Sequence, residues 1–265
     1  MKQKLAMIAF AIILVLSMTV AGLASTITYD ASLASPTAAS NPGWYNGTGN
    51  PNGGFTVETD NGIEVGLRAK GRQLPTVIDS STNVYDVPVG AQAGAPTRAW
   101  WNYEWSIDLQ PNGSGSLDLS DIFPYSTLTV EDLTAGVSAT VNLPYWADNS
   151  YWGPSGKTDG SAANNNGADL LPTSWGTQNS ENPTFGDFPL ASVPGYTFDM
   201  NAQHYYRFIL DVNDSTGLLA TDTIDVAVGN AVLPTPEPAT LSLLAFGLAG
   251  LLFAARNKNP LKKGE

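Results

Sequence analysis

The sequence contains no cysteine and only one histidine, His204, among its 265 residues. Without cysteine the chain forms no disulfide, no Cys-ligated zinc site, no iron–sulfur cluster and no thiol nucleophile. A single histidine also excludes a multi-histidine metal site within one chain. Basic residues are scarce too: 12 Lys and Arg stand against 24 Asp and Glu, a formal net charge of −12. Because nonspecific nucleic-acid binding needs Lys and Arg to neutralise phosphates, we expect no nucleic-acid partner.

The N-terminal residues have the organisation of a secretory signal peptide. Lys2 and Lys4 form a positive start, and residues 5–20 are apolar apart from one Ser and one Thr. Small residues at Gly22 and Ala24 suit a signal peptidase, so the pattern predicts a signal peptide over 1–24. The alternative is an uncleaved N-terminal anchor, which the polar residues after Ala24 make less favourable.

The C-terminal residues 235–265 contain three parts in a fixed order. A Pro236-Glu237-Pro238 motif comes first, and a run of 15 apolar residues, Leu241 to Ala255, follows it. That length is at the short edge of what spans a bilayer as a helix. The end of the chain is basic, through Arg256, Lys258, Lys262 and Lys263. Basic residues after an apolar run predict a transmembrane helix with a cytoplasmic end.

This arrangement resembles the PEP-CTERM sorting signal, in which a Pro-Glu-Pro motif, a Leu-rich helix with glycine and a basic end follow one another. The resemblance covers 235–265. It implies export in a Gram-negative bacterium, an exosortase as partner and cleavage near the motif. The protein would then be anchored in the membrane transiently, before it reaches the cell surface or the medium. Such proteins accompany exopolysaccharide production, which implies a biofilm-matrix setting.

Residues 25–234, between the two end segments, alternate apolar and polar side chains with a period of two. This period predicts half-buried strands, each with one solvent-facing side. The clearest runs are 63–70, 101–109, 137–143 and 218–228, and the weaker ones are 54–59, 126–131 and 204–212. The turn residues at 213–217 predict a hairpin between the last two strands. Many antiparallel strands with polar outer faces indicate an all-β fold, which we expect to be a jelly-roll-like β-sandwich.

Residues 144–189 lack such alternation and are rich in Pro, Asn, Ser and Thr, so we expect a long irregular loop there. In contrast, the strand over 101–109 places Trp101, Tyr103 and Trp105 on one face, which we expect to face the core. The stretches 60–70 and 101–108 are similar to ectodomain segments of PEP-CTERM proteins. That similarity supports a β-rich fold and implies no mechanism.

Five aromatic residues in or beside the polar loop are candidates for glycan contact. Exposed rings pack on the apolar face of a pyranose while neighbouring polar groups bind its hydroxyls. The candidates are Tyr145, Trp146, Tyr151, Trp152 and Trp175. The alternative is that these rings pin the loop onto the sandwich.

Other polar groups are candidates for a catalytic or metal-binding role. His204 is a candidate general base beside Asp199 or Asp211, with a polar strand residue as the alternative. Glu104 and Asp108 share one strand face, yet four residues along a strand separate them by roughly 13 Å. Glycosidase carboxylates lie about 5–9.5 Å apart, so this pair cannot act directly, and a solvated sheet face is the alternative.

Two groups of oxygen-bearing side chains are candidates for a structural calcium ion. They are Asp118, Ser120 and Asp121, and separately Asp211, Asn213 and Asp214. Neither group fits the EF-hand spacing, and turn chemistry explains both. We therefore expect no resident cofactor, with structural calcium as the one candidate metal.

These observations favour a non-enzymatic, exported surface or matrix protein with a structural or adhesive role beside exopolysaccharide. A carbohydrate-binding module is the alternative, and exposure of the five aromatic rings would favour it. A secreted glycan-active enzyme is a third hypothesis. It requires two carboxylates from different strands that meet in a cleft, one with a perturbed pKa.

Overall fold

A computed structural model gives the structure of residues 25–34, 52–113, 115–143, 149–153, 156–159 and 171–233, with backbone alone for 156–159. The predicted signal peptide, the whole C-terminal segment 235–265 and the two aromatic candidates Tyr145 and Trp146 lie outside these residues. The chain divides into two compact units, Met1–Val232 and Leu233–Glu265. Among the described residues, no helix has the length and apolar character needed to cross a membrane.

The described residues form two large sheets and one small ribbon. Sheet A has seven antiparallel strands in the order β1-β2-β3-β8-β13-β11-β12. Its strands are β1 (Thr26–Ala31), β2 (Phe55–Asp60), β3 (Ile63–Gly71), β8 (Trp101–Asp108), β11 (Ser150–Gly153), β12 (Gly156–Asp159) and β13 (Gly176–Glu181). The ribbon pairs β6 (Ala91–Gln92) with β7 (Ala95–Ala99).

Sheet B has six strands in the order β10-β9-β14-β15-β5-β4. Its strands are β4 (Ile78–Asp79), β5 (Val84–Val87), β9 (Thr127–Asp132), β10 (Val137–Asn142), β14 (Tyr205–Asp214) and β15 (Gly217–Val228). β14 and β15 form the predicted hairpin, and β5 pairs with β15 in parallel. A four-residue helix α1 (Leu119–Ile122) and 3-10 turns at Leu171–Thr173 and Pro189–Ser192 complete the described elements.

Side chains from both sheets meet in one apolar cluster. Tyr103 on β8 stacks near Phe208 on β14, with ring centroids 5.0 Å apart, and Trp101 meets the same ring edge-on at 6.4 Å. Trp105 is fully buried beside them. The predicted inward face of this strand and the all-β prediction are confirmed. The finer assignment, a jelly-roll-like sandwich, stays a prediction.

A buried carboxylate on β15 links the two sheets. Asp222 on β15 breaks the alternation of apolar residues, and its Oδ2 accepts the backbone N–H of Leu67 on β3 at 2.8 Å. Its Oδ1 accepts the N–H of Thr223 at 2.8 Å. Burial raises the pKa of Asp222 well above its usual range, because the charged form loses its hydration. The polar residue that interrupts the apolar alternation of β15 therefore forms a contact between the two sheets.

The prediction of an irregular loop over 144–189 is wrong for much of its described part. Strands β11, β12 and β13 lie inside this range, and β13 pairs with β8 near the centre of sheet A. β13 has the sequence GTQNSE, and five of its six residues are buried. Its buried side chains are polar, and one of them, Gln178, donates through Nε2 to the hydroxyl of Ser106 on β8 at 3.2 Å. A hydrophobicity pattern cannot detect such a strand.

Candidate functional site

The outer side of sheet A is a buried polar face, where the sequence predicted a solvated one. Every residue of β3 and β8 is buried, on both sides of the sheet. Part of the cover comes from the chain after β1. Leu33 packs on Gly66, where a Cβ would come within 2.6 Å of Leu33 Cδ2. The half-buried pattern is confirmed for β10, whose residues alternate between partly buried and exposed.

Glu104 lies at the centre of this polar face and holds two cations. Its Oε2 accepts a hydrogen bond from Arg68 Nε, and both side chains are fully buried. Its Oε1 lies 3.8 Å from Lys70 Nζ and accepts the Ser180 hydroxyl at 2.8 Å. Burial lowers the pKa of Arg68 and of Lys70, and the Glu104 charge opposes that shift. The residue is a structural ion-pair partner, not a solvated carboxylate.

Asp108 lies opposite a different carboxylate, Glu64, in the register of β3 and β8. Burial raises the pKa of Glu64 to about 7, and the Asp108 charge adds to that rise against a hydrogen bond from the Ala34 N–H. Burial also raises the pKa of Asp108 to about 6, although the Gln110 N–H and the Trp152 side chain lower it. Glu64 is 7% exposed and Asp108 is 1% exposed. This cross-strand pair is therefore buried and has perturbed pKa values.

The aromatic glycan candidates that the structure describes are not surface platforms. Tyr151 is 0% exposed and Trp152 is 2% exposed. The Trp152 indole lies directly over Gly176 of the neighbouring strand, where an added Cβ would fall 1.9 Å from its Cε2. Trp175 is partly buried against the apolar cluster. Tyr151 and Trp152 therefore lack the exposure that glycan contact requires.

His204 contacts neither of the carboxylates that the sequence offered. Its Nδ1 lies 2.6 Å from Oδ2 of Asp132, and its ring stacks on Tyr206 at 5.7 Å. Asp132 also accepts the hydroxyl of Tyr196 at 3.0 Å and the backbone N–H of Ala135 at 2.9 Å. The group therefore ties the turn after β9 to the start of β14. Pairing with Asp199 or Asp211 is wrong, because the β9–β14 register brings Asp132 to this end of the sheet.

The side chains of the two candidate calcium groups form hydrogen bonds in a helix cap, a strand pair and a turn. Asp118 caps α1, with the Ser120 N–H donating to its Oδ1 at 2.8 Å. Asp211 accepts the hydroxyl of Thr221 at 2.6 Å, and Asp214 accepts the N–H of Thr216 at 2.6 Å. In the part of the chain that the structure describes, no group of three or more His, Cys, Asp or Glu side chains is placed to hold a metal ion.

The structure does bring residues of both groups, Ser120 and Asp121 of the first and Asp214 of the second, to a single surface cleft of about 290 Å³. Asp121 lies in α1, Asp214 is the last residue of β14, and Tyr125, with 48% of its surface exposed, also lines the cleft. The sequence analysis missed Tyr125. The sequence feature that could have marked Tyr125 is its place as an aromatic residue in a short segment outside the alternating runs.

Comparison with known proteins identifies the C-terminal segment. The family model of the PEP-CTERM protein-sorting motif matches residues 234–258. No curated protein and no solved structure matches the chain. The chain is thus an exported protein that an exosortase processes. A C-terminal membrane anchor precedes cleavage, and the product is a cell-surface or extracellular protein.

Proposed function

We propose that the folded body is a non-enzymatic structural or adhesive component of the extracellular matrix and that it associates with exopolysaccharide. The observation that carries this proposal is the sorting motif at 234–258. Five residues separate it from β15, which ends at Val228. Processing near the motif would release the body without cutting into a strand. We take the folded body to be a jelly-roll-like β-sandwich.

Two features of the body support a binding role over a catalytic one. The cross-strand carboxylates Glu64 and Asp108 are buried, as is the ion-paired Glu104. A hydrolase acting on a polymer needs its acid and its nucleophile or base beside the scissile bond. The strongly acidic composition, with twice as many acids as bases, also suits a solvated surface protein.

The test uses the mature protein as the host exports it. It is mixed with the purified exopolysaccharide of the same host, and the bound fraction and the polymer length are measured. We expect saturable binding and unchanged polymer length. Shortening of the polymer would replace the proposal with a glycan-active enzyme. Absence of binding at high protein concentration would remove the exopolysaccharide association.

A further inference from the structure

The cleft beside α1 combines an aromatic ring with several polar groups. Pro124 and Tyr125 supply its apolar side, and Ser120, Asp121, Asp214 and Ser215 supply hydroxyl and carboxylate oxygens. Its volume of about 290 Å³ is at the small end of the range for small-molecule sites. This size suits about one sugar ring of a longer chain.

The exposed ring of Tyr125 stands on a fixed backbone. The Tyr125 N–H donates to the Ile122 carbonyl at 3.0 Å, and the Ser126 hydroxyl donates to the same carbonyl at 2.9 Å. The N–H of Asn213, at the end of β14, donates to the Ser126 hydroxyl at 3.1 Å. These bonds join the turn to sheet B. A preformed aromatic surface of this kind binds a ligand with little loss of conformational entropy.

The two carboxylates of the cleft are anchored through one oxygen each. Asp121 accepts the Asp118 N–H through Oδ2 at 2.9 Å. Asp214 accepts the Thr216 and Gly217 N–H groups through Oδ1, at 2.6 and 3.1 Å. The hydrogen bonds from Thr216 lower the pKa of Asp214, so this group is ionised at neutral pH. The second oxygen of each carboxylate can accept a hydrogen bond from a ligand hydroxyl.

We propose that this cleft is a binding subsite for a neutral pyranose residue of an extracellular polysaccharide, an inference that rests on the proposed matrix function. The sugar's apolar face packs on the Tyr125 ring. Its hydroxyls donate to the carboxylates of Asp121 and Asp214, while the Ser215 hydroxyl adds a further polar contact. Two carboxylates at one small site repel an anion, so a neutral hexose is bound in preference to a uronic acid.

The test measures binding of the exported mature protein to the host exopolysaccharide by calorimetry in EDTA, which removes bridging by calcium. Tyr125→Ala is expected to weaken binding about tenfold, since the aromatic contact is lost. Tyr125→Phe keeps the ring and is expected to bind within about twofold of wild type. Tyr29→Ala is the matched control, because Tyr29 is a similarly exposed tyrosine, at 40%, on the distant edge strand β1.

A second variant fills the cleft and leaves the tyrosine in place. Ser215→Leu places an apolar side chain at an exposed turn residue, and it is expected to weaken binding as Tyr125→Ala does. Thermal unfolding of each variant checks that the fold is intact. Equal binding by wild type, Tyr125→Ala and Ser215→Leu overturns the subsite while the matrix function stands. Failure of wild type itself to bind overturns the matrix function.

The preference for neutral sugars is tested separately with free glucose and glucuronate as competitors. We expect glucose to displace the polymer at a lower concentration than glucuronate does. Stronger competition by glucuronate would contradict the assignment of both carboxylates as hydroxyl acceptors.

Discussion

At the scale of single residues, Glu104 is the partner on which two buried cations of sheet A depend. It accepts a hydrogen bond from Arg68 and lies 3.8 Å from Lys70 Nζ. Removing one member of a buried ion pair leaves the other charge without compensation in a medium that solvates it poorly. By contrast, Arg207 and Asp225 form a pair at 2.8 Å whose arginine side chain is 36% exposed.

We therefore predict that Glu104→Ala lowers the free energy of unfolding by about 3–5 kcal/mol. Asp225→Ala is the matched control at the exposed pair, with an expected loss below about 1 kcal/mol. Urea unfolding followed by tryptophan fluorescence measures both values. Similar losses for the two variants would show that the Arg68–Glu104 pair is not desolvated as the structure has it.

Glu64 and Asp108 make stability depend on pH in a direction opposite to the usual one for acids. The folded-state pKa values, about 7 and about 6, lie above the ordinary values of 4.5 and 3.8. The folded protein thus binds more protons than the unfolded chain between these limits. The stability that these two acids contribute to the folded state is fully present below about pH 4 and is lost as the pH rises to about 7.

We predict that the free energy of unfolding of the mature protein falls between pH 4.5 and pH 7. Glu64→Gln, which is uncharged throughout, is expected to flatten this slope. Asp79→Asn is the control, because hydrogen bonds from Ser81 and Thr82 lower the pKa of exposed Asp79 and its effect lies at lower pH. A slope that Glu64→Gln leaves unchanged would assign the pH dependence to Asp222 or another buried acid.

At the scale of elements, the contact between β11 and β13 depends on a glycine. Trp152 covers Gly176 so closely that any side chain at 176 would overlap the indole. The tryptophan fills the space that the missing side chain leaves on the sheet. The Trp152–Gly176 contact therefore stabilises the pairing of two strands that lack the apolar alternation by which strands are usually recognised.

Gly176→Ala is predicted to destabilise the fold by about 1–3 kcal/mol, because the indole must move. In a Trp152→Ala background the same substitution is expected to cost little, so a double-mutant cycle yields a clear coupling energy. Gly186→Ala is the control, since a Cβ there meets no atom within 4 Å. Additive effects of the two substitutions would argue against the contact.

At the scale of the whole molecule, the sorting segment and the folded body are separate compact units of the chain. The motif matched at 234–258 follows the last strand of sheet B. We expect cleavage near the motif to leave the strands of the body intact, because the last of them ends at Val228. The residues that direct sorting and the residues that form the folded body are therefore different parts of the sequence.

We predict that intact-mass analysis of the exported protein shows the loss of residues 241–265. Joint replacement of Pro236, Glu237 and Pro238 by alanine is expected to abolish processing and to leave the protein in the membrane fraction. Glu131→Gln, a substitution on the folded body, serves as the control and is expected to be processed normally. Detection of residues 241–265 on the released wild-type protein would contradict processing near the motif.

The sequence by itself determined the sorting segment, the all-β class and the inward face of the aromatic strand β8. These depend on local order and on a period of two, and both are visible in a linear chain. The predicted hairpin of β14 and β15 is confirmed for the same reason, since a short turn joins two alternating runs.

Only the tertiary structure decided which polar residues are buried and which aromatic ring is exposed. The sequence pattern predicts that Glu104 lies on a solvated face, yet it lies on a covered face and pairs with Arg68. Trp152 looks exposed, yet it fills the space above Gly176, whereas Tyr125 is open to solvent. The physical reason is that burial depends on what covers each face of a sheet. The cover comes from segments distant in the chain, such as Leu33 over Gly66, and alternation carries no information about them.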